Sequence, residues 1–179
     1  MIAPQPTIIT AMLERKLKLV KLFATDFDGI HTDGTVMVDE HGTESVRCSR
    51  KDGLGYNMLA KAGIHACVIS KEANPVVLRR CEKLKILCHQ KVADGQGKLE
   101  ILKRVMEELD LRPANVLYMG DDLNDLQALE FAGVSVTVRD GHEYLRKKVD
   151  IVTTRAGGDH AIREVCELLL TAQGRSLEF

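Results

Sequence analysis

Tryptophan is absent from this 179-residue chain, and all aromatic residues together make up only 4% of it. So few flat side chains argue against a surface that stacks on exposed bases. An excess of charge of one sign is lacking too. The 25 Lys and Arg face 26 Asp and Glu, a formal net charge of −1, which leaves no basic field for nucleic acid or an anionic membrane. No apolar run approaches the roughly 20 residues needed to cross a bilayer, and the first residues hold no continuous apolar stretch that would direct secretion. The five cysteines (Cys48, Cys67, Cys81, Cys88, Cys166) are odd in number and form no Cys-x-x-Cys pair. A disulfide framework and a zinc site are therefore not expected, whereas reduced thiols of a soluble cytoplasmic protein are. No repeat, low-complexity segment or linker interrupts the chain, and its length suits one domain over residues 1–179.

What is present begins with Leu22-Phe23-Ala24-Thr25-Asp26-Phe27-Asp28-Gly29. An apolar run ends in two carboxylates one residue apart, followed at once by glycine. A buried strand ending this way places negative charge at the carboxyl edge of a sheet, where open α/β folds bind ligands. Carboxylates that close repel unless a cation lies between them or one keeps its proton. The segment reads as a hard-metal site, an acid/nucleophile pair, or both.

Further along, strand and helix patterns alternate. Strands are expected over 19–24, 65–70, 87–90, 116–119, 134–138 and 151–153, and helices over 10–18, 53–61, 74–84, 96–109, 124–131 and 161–170. Asn74-Pro75 supplies a cap and a first-turn proline for one of them. Residues 35–38 and 44–48, separated by a glycine-bearing turn, read as a hairpin. The alternation predicts an α/β fold: a Rossmann-like three-layer sandwich with a mostly parallel sheet, carrying the small hairpin (about 35–48) in place of a larger lid.

In a parallel sheet all carboxyl ends share one edge, so Asp26, Asp28, Ser70, Lys98, Asp121, Asp122 and Asp125 can converge. Carboxylates, a hydroxyl and one lysine suit Mg²⁺ together with a phosphate. Taken singly, Ser70 reads equally as a cap, Lys98 as a solvated residue, and Asp121-Asp122 as a helix start enriched in acids. His31, His41, His65, His89, His142 and His160 show no ligand spacing and are taken as structural or surface residues.

The order Asp26-x-Asp28-Gly29-x-x-Thr32-Asp33, Ser70, Lys98 and Gly120-Asp121-Asp122-x-x-Asp125 resembles the four motifs of the haloacid dehalogenase superfamily of phosphohydrolases. Within it, the chain is similar to the capless subfamily of 3-deoxy-D-manno-octulosonate 8-phosphate (KDO 8-phosphate) phosphatases and related sialic-acid-type sugar phosphatases. The likeness runs from about Lys18 to Arg175 and includes Lys51-Asp52-Gly53-Leu54-Gly55 and Gly157-Gly158. It implies that Asp26 attacks phosphorus and that Asp28 protonates the leaving alkoxide and then activates water. It also implies that Mg²⁺ is held by the Asp26 carboxylate, the Asp28 carbonyl and Asp121, with Asp122 and Asp125 in support. Ser70 and Lys98 would bind phosphoryl oxygens. Arg50, Lys51, Asp52, Gly53 and Arg80, with Arg79 a further choice, would meet a sugar acid. The resemblance further implies a homotetramer whose hairpins pair and whose sites are covered by neighbours, serving lipopolysaccharide biosynthesis.

Two departures stand out. Lys71-Glu72 occupies the place where the KDO 8-phosphate branch tends to have Gly-Arg, a pattern closer to enzymes acting on nine-carbon nonulosonate 9-phosphates, whereas the tail 168–174 resembles the eight-carbon branch. His31 stands where an aliphatic or aromatic residue is usual. A non-catalytic oligomerisation module is the alternative from another class, and the retained acids argue against it.

Overall fold

The computed structural model describes residues 10–93 and 95–177. β1 (Leu22–Thr25), β4 (His65–Ile69), β5 (Leu87–His89), β6 (Val116–Met119), β7 (Val134–Thr137) and β8 (Ile151–Val152) form one sheet. Their order is β5-β4-β1-β6-β7-β8, and every neighbouring pair is parallel. β2 (Met37–Val38) and β3 (Glu44–Ser45) pair antiparallel as a separate hairpin. This is the expected α/β architecture.

All four residues of β1 and of β6 are buried, which is why their sequences read as continuous apolar runs. Alternate side chains go to opposite faces. Phe23, Leu117 and Met119 join a core beneath α1 (Ala11–Lys18), α2 (Arg50–Lys61) and α7 (Ala161–Ala172). Leu22, Ala24, Val116 and Tyr118 join a second core with α4 (Gly95–Glu108) and α5 (Leu126–Phe131). α3 (Pro75–Leu84) packs near β5, and α6 (Glu143–Arg146) is a single turn after β7. Among the described residues no helix is long and apolar enough to cross a membrane.

Chain order makes the crevice. From β1 the chain crosses to β4 on one side, and later to β6 on the other. Helical connections leave in opposite directions there, so a gap opens beyond the carboxyl end of β1.

Local chemistry sets the helix ends. Ser49 Oγ accepts from Lys51 N at 3.1 Å and starts α2 three residues before Gly53, the expected start. Asn74 Oδ1 accepts from Val76 N at 3.0 Å, with Pro75 in the first turn as expected. Leu19 and Val20 donate to the carbonyls of Lys16 and Leu17. That turn finishes α1 and delays β1 to Leu22, against the expectation of a strand from Leu19. The four-residue α6 had no periodicity to announce it.

Candidate active site

Asp26 follows the last residue of β1, and its N–H donates to Met119 O of β6 at 2.9 Å, so the sheet ladder itself sets its position. Its Oδ1 accepts from Phe27 N at 2.7 Å. Its Oδ2 meets Lys98 Nζ at 2.7 Å, and the same ammonium meets Asp125 Oδ1 at 2.8 Å. Lys98 is fully buried. Asp125 in turn accepts from Tyr118 Oη at 2.8 Å and, on its other oxygen, from Asp121 N at 3.1 Å. One carboxylate thus ties together β6, α4 and the Gly120–Asp125 segment.

Carboxylate oxygens of Asp26, Asp121 and Asp125 lie within 4.8 Å of one another. Burial, reinforced by the charge of Asp125, pushes the Asp26 carboxyl up to about 8 against the pull of Lys98. The same two causes push Asp121 to about 7. Burial alone would lower Lys98, but the facing Asp26 and Asp125 more than offset it and hold the lysine above its ordinary value. Acid and base shifting upward together reflects burial of the carboxyls and a surplus of negative charge. Lys98 stays protonated, and without a cation Asp26 and Asp121 share protons to a higher pH than ordinary carboxyls do. The donor set is all oxygen and over-supplied with charge, which fits a hard divalent cation.

Asp28 is half-buried at the rim. Its Oδ1 accepts from Thr32 Oγ1 at 3.3 Å. Burial and then the charge of Glu72 raise its pKa, while the Thr32 bond opposes them. Gly29 has φ +73°, and a Cβ there would fall on the Asp121 carboxylate. A Cβ on Gly157 would likewise fall on the Gly29 carbonyl. Three loops therefore meet at a separation that side chains would forbid.

Ser70 caps β4, is buried, and accepts from Glu72 N at 3.0 Å through Oγ. An open cleft of about 330 Å³ is lined by Asp26, Asp28, Ser70, Lys71, Glu72 and Asn124. Such a volume, polar and floored by buried charge, accommodates a phosphoryl group and part of its leaving group.

Not every expected residue converges. Asp122 is exposed and its Oδ1 accepts from Leu123 N at 2.7 Å. Its side chain caps its own turn, because φ and ψ at that position turn it back on the following amide, while its N–H donates to Asp125 Oδ2 at 3.5 Å and so meets the cluster through the backbone. Asp52 is only 1% exposed and accepts from Arg163 N at 3.0 Å. It caps α7, and burial pushes it to about 6, so direct substrate contact is corrected. Gly53 lies where a Cβ would press on Leu84, so it serves helix packing. Arg80 is held inward by its donation to Ser49 O at 2.6 Å, and Arg79 pairs with Glu82 on the surface. Arg50 and Lys51 remain exposed at the start of α2. Sequence reasoning missed Tyr118, whose place in an apolar strand marks it as core and nothing more. Asn124 sat unremarked inside the Gly120–Asp125 motif.

Comparison with known proteins gives the family. A haloacid dehalogenase-like hydrolase family model matches residues 78–165. The 3-deoxy-D-manno-octulosonate 8-phosphate phosphatase of Escherichia coli K12 is 36% identical over 168 residues, covering 93% of this chain and 88% of that one. The Moraxella catarrhalis enzyme of the same name, solved with magnesium, phosphate and KDO, superposes with a TM-score of 0.85 at 39% identity, covering 90% of this chain and 91% of that one. The cobalt-bound Haemophilus influenzae enzyme gives 0.83 at 33% identity, covering 89% and 92%. At such identity over nearly the whole length, the chain belongs to the haloacid dehalogenase-like hydrolases, in the family of the 3-deoxy-D-manno-octulosonate 8-phosphate phosphatases.

Proposed function

We propose that this protein is an Mg²⁺-dependent phosphatase that hydrolyses KDO 8-phosphate to KDO and inorganic phosphate, acting as one hydrolase domain. The observation that carries the reading is Asp26, buried at the end of β1, held by Lys98, and open on its other side to the 330 Å³ cleft.

On this reading Asp26 attacks phosphorus in line, expels the sugar oxygen and forms an aspartyl-phosphate. Asp28, at the rim with a raised pKa, gives its proton to the departing sugar alkoxide and then takes one from the water that cleaves the intermediate. Lys98 has three N–H donors, of which two are engaged by Asp26 and Asp125. The third is available to a phosphoryl oxygen, as is the Ser70 hydroxyl. Mg²⁺ would be held by the Asp26 carboxylate, the Asp28 carbonyl and Asp121, and would supply positive charge for the phosphoryl oxygens. Asp125 serves this set indirectly, since its oxygens already hold Lys98, Tyr118 and the Asp121 amide.

Arg50 and Lys51, exposed at the start of α2, are the cations proposed to meet the substrate's carboxylate end. A homotetramer completes the reading. Val36, Met37 and Val38 are 51, 67 and 60% exposed on a two-stranded hairpin, and an unpaired edge with an apolar face favours association. Five unpaired thiols support a reducing, cytoplasmic setting.

A second reading rests on Lys71 and Glu72, which line the cleft where the eight-carbon branch tends to carry Gly-Arg. Side-by-side turnover of KDO 8-phosphate and a nonulosonate 9-phosphate, with Asp26→Asn as the blank, decides between them. Preference for the eight-carbon compound is expected, and preference for the nine-carbon one would replace the proposed substrate.

A further inference from the structure

Three residues after Asp28, the imidazole of His31 is 1% exposed. It is the middle member of a ring stack: the Phe27 ring lies 5.1 Å away at 18° and the Tyr56 ring 5.6 Å away at 14°. Its Nε2 lies 3.2 Å from Thr25 Oγ1 and 3.0 Å from Tyr56 Oη, and the two hydroxyls are 3.5 Å apart. Those partners come from two elements and the turn between the aspartates. Thr25 ends β1 and immediately precedes Asp26, Phe27 lies between the two aspartates, and Tyr56 belongs to α2.

The ring is neutral. Burial, with a contribution from Arg80, brings it down to about 3. Nδ1 is buried without a hydrogen-bond partner. A buried lone pair without a donor costs less than a buried N–H without an acceptor, so the proton belongs on Nε2, where it can be donated to a hydroxyl. An aliphatic side chain of similar size would fill this volume but would leave the Thr25 and Tyr56 hydroxyls with only their 3.5 Å approach.

We infer that His31 is a positioning residue for the proposed phosphatase reaction, clamping the turn that carries Asp28 to the strand end that carries Asp26 and to α2. The inference rests on the phosphatase reading for its catalytic consequence, though the clamp itself is a property of the three contacts. The turn's other bonds are its own or reach the 157–158 loop, and none of them reaches α2: the Phe27 carbonyl accepts from Ile30, His31 and Thr32 at 3.3, 2.8 and 3.4 Å, Thr32 Oγ1 accepts from Gly29 and Gly34, and the Ile30 carbonyl accepts from Gly158. Small displacements of reacting groups are costly, with about 1 Å able to lower a rate by roughly 100-fold. A loosened turn moves Asp28 relative to Asp26 without touching Ser70 or Lys98. The loss should therefore fall on kcat rather than on KM.

The test uses full-length His31→Phe, which keeps the stack, Tyr56→Phe, which removes one oxygen, and the double variant. Turnover of KDO 8-phosphate and Mg²⁺ affinity by calorimetry are measured for each, with melting temperature as the check on folding. Expected are a roughly tenfold fall in kcat for each single variant and a KM within about twofold of the parent. The double variant should be no worse than either single, as befits members of one network, and Mg²⁺ binding should weaken several-fold. Unchanged kcat and Mg²⁺ affinity in folded variants would overturn the inference, as would strictly additive losses. Should His31→Phe fail to fold, Tyr56→Phe carries the same comparison. A parent protein that turns over no sugar phosphate would remove the phosphatase reading instead, and the Mg²⁺ measurement would still decide whether the clamp sets the metal-binding turn.

Discussion

Beyond β1 and β6, Asp26, Lys98 and Asp125 are all buried, and each is bonded to at least two other groups of the same chain. On the hairpin, Val36, Met37 and Val38 are apolar yet lie mostly in solvent, and each strand is two residues long. The first region has charge where water is excluded; the second has hydrocarbon where water is plentiful. Both cost free energy in isolation. The sheet edge resolves its conflict internally, through one lysine and a convergent set of donors. On the proposed reading the hairpin resolves its own by meeting another copy. Substitutions at the edge should therefore change chemistry and folding, and substitutions on the hairpin should change assembly.

The sharpest way to break that contrast is Asp26→Asn. Turnover should fall by about 10⁴-fold or more, since the attacking oxygen is lost, with the circular dichroism spectrum unchanged. Substantial residual hydrolysis would place the nucleophile elsewhere. Next comes Lys98→Met. It leaves Asp26 and Asp125 buried without a cation and should cost about 3–5 kcal/mol in urea denaturation. A cost under about 1 kcal/mol would mean that the lysine is not the counter-charge its geometry implies.

A smaller effect follows from pH. Asp26 and Asp121 titrate at about 8 and about 7 in the folded chain, both raised above the ordinary carboxyl value. Between roughly pH 4 and 8 the folded state thus binds more protons than the unfolded one, and stability falls as pH rises. The metal-free protein should melt several degrees lower at pH 8 than at pH 5, and millimolar Mg²⁺ should flatten the slope. A metal-free melting temperature that climbs over the same range would contradict the proton sharing described above. The smallest change to the folded chain is expected from Met37→Asp on the hairpin, within about 0.5 kcal/mol for an exposed position. Analytical ultracentrifugation should nonetheless show a shift towards smaller species. A tetramer that survives it unchanged would place the contact elsewhere.

The same contrast explains what could be read from the chain. The strands at the centre of the sheet are doubly buried, so their apolar runs and the acids that end them are visible in one dimension. Asp26, Asp28, Ser70, Lys98 and Asp121 were legible because each follows or faces such a run in a fixed order. Asp122 and Asp125 look alike in sequence, and only the turn geometry separates a cap from a buried hub. Asp52 sits in a glycine-bearing segment that reads as accessible, yet the arrival of α7 from over 100 residues away covers it. Tyr118 and the partners of His31 are likewise set by contacts across the fold, which local pattern does not carry. His31 stands in sequence only as a departure without an explanation, and nothing in its neighbours along the chain points to Thr25 and Tyr56.

Gly29 carries a consequence for how this molecule tolerates change. Every other encoded residue brings a Cβ, and at this position that atom would fall on the Asp121 carboxylate. Alanine, the smallest step available, already collides, so there is no graded path of replacements from mild to severe. In a randomised library sorted for activity, codon 29 should return glycine alone, while the codons of exposed Glu40 and His41 drift freely. One missing atom makes this position an all-or-nothing one in the gene.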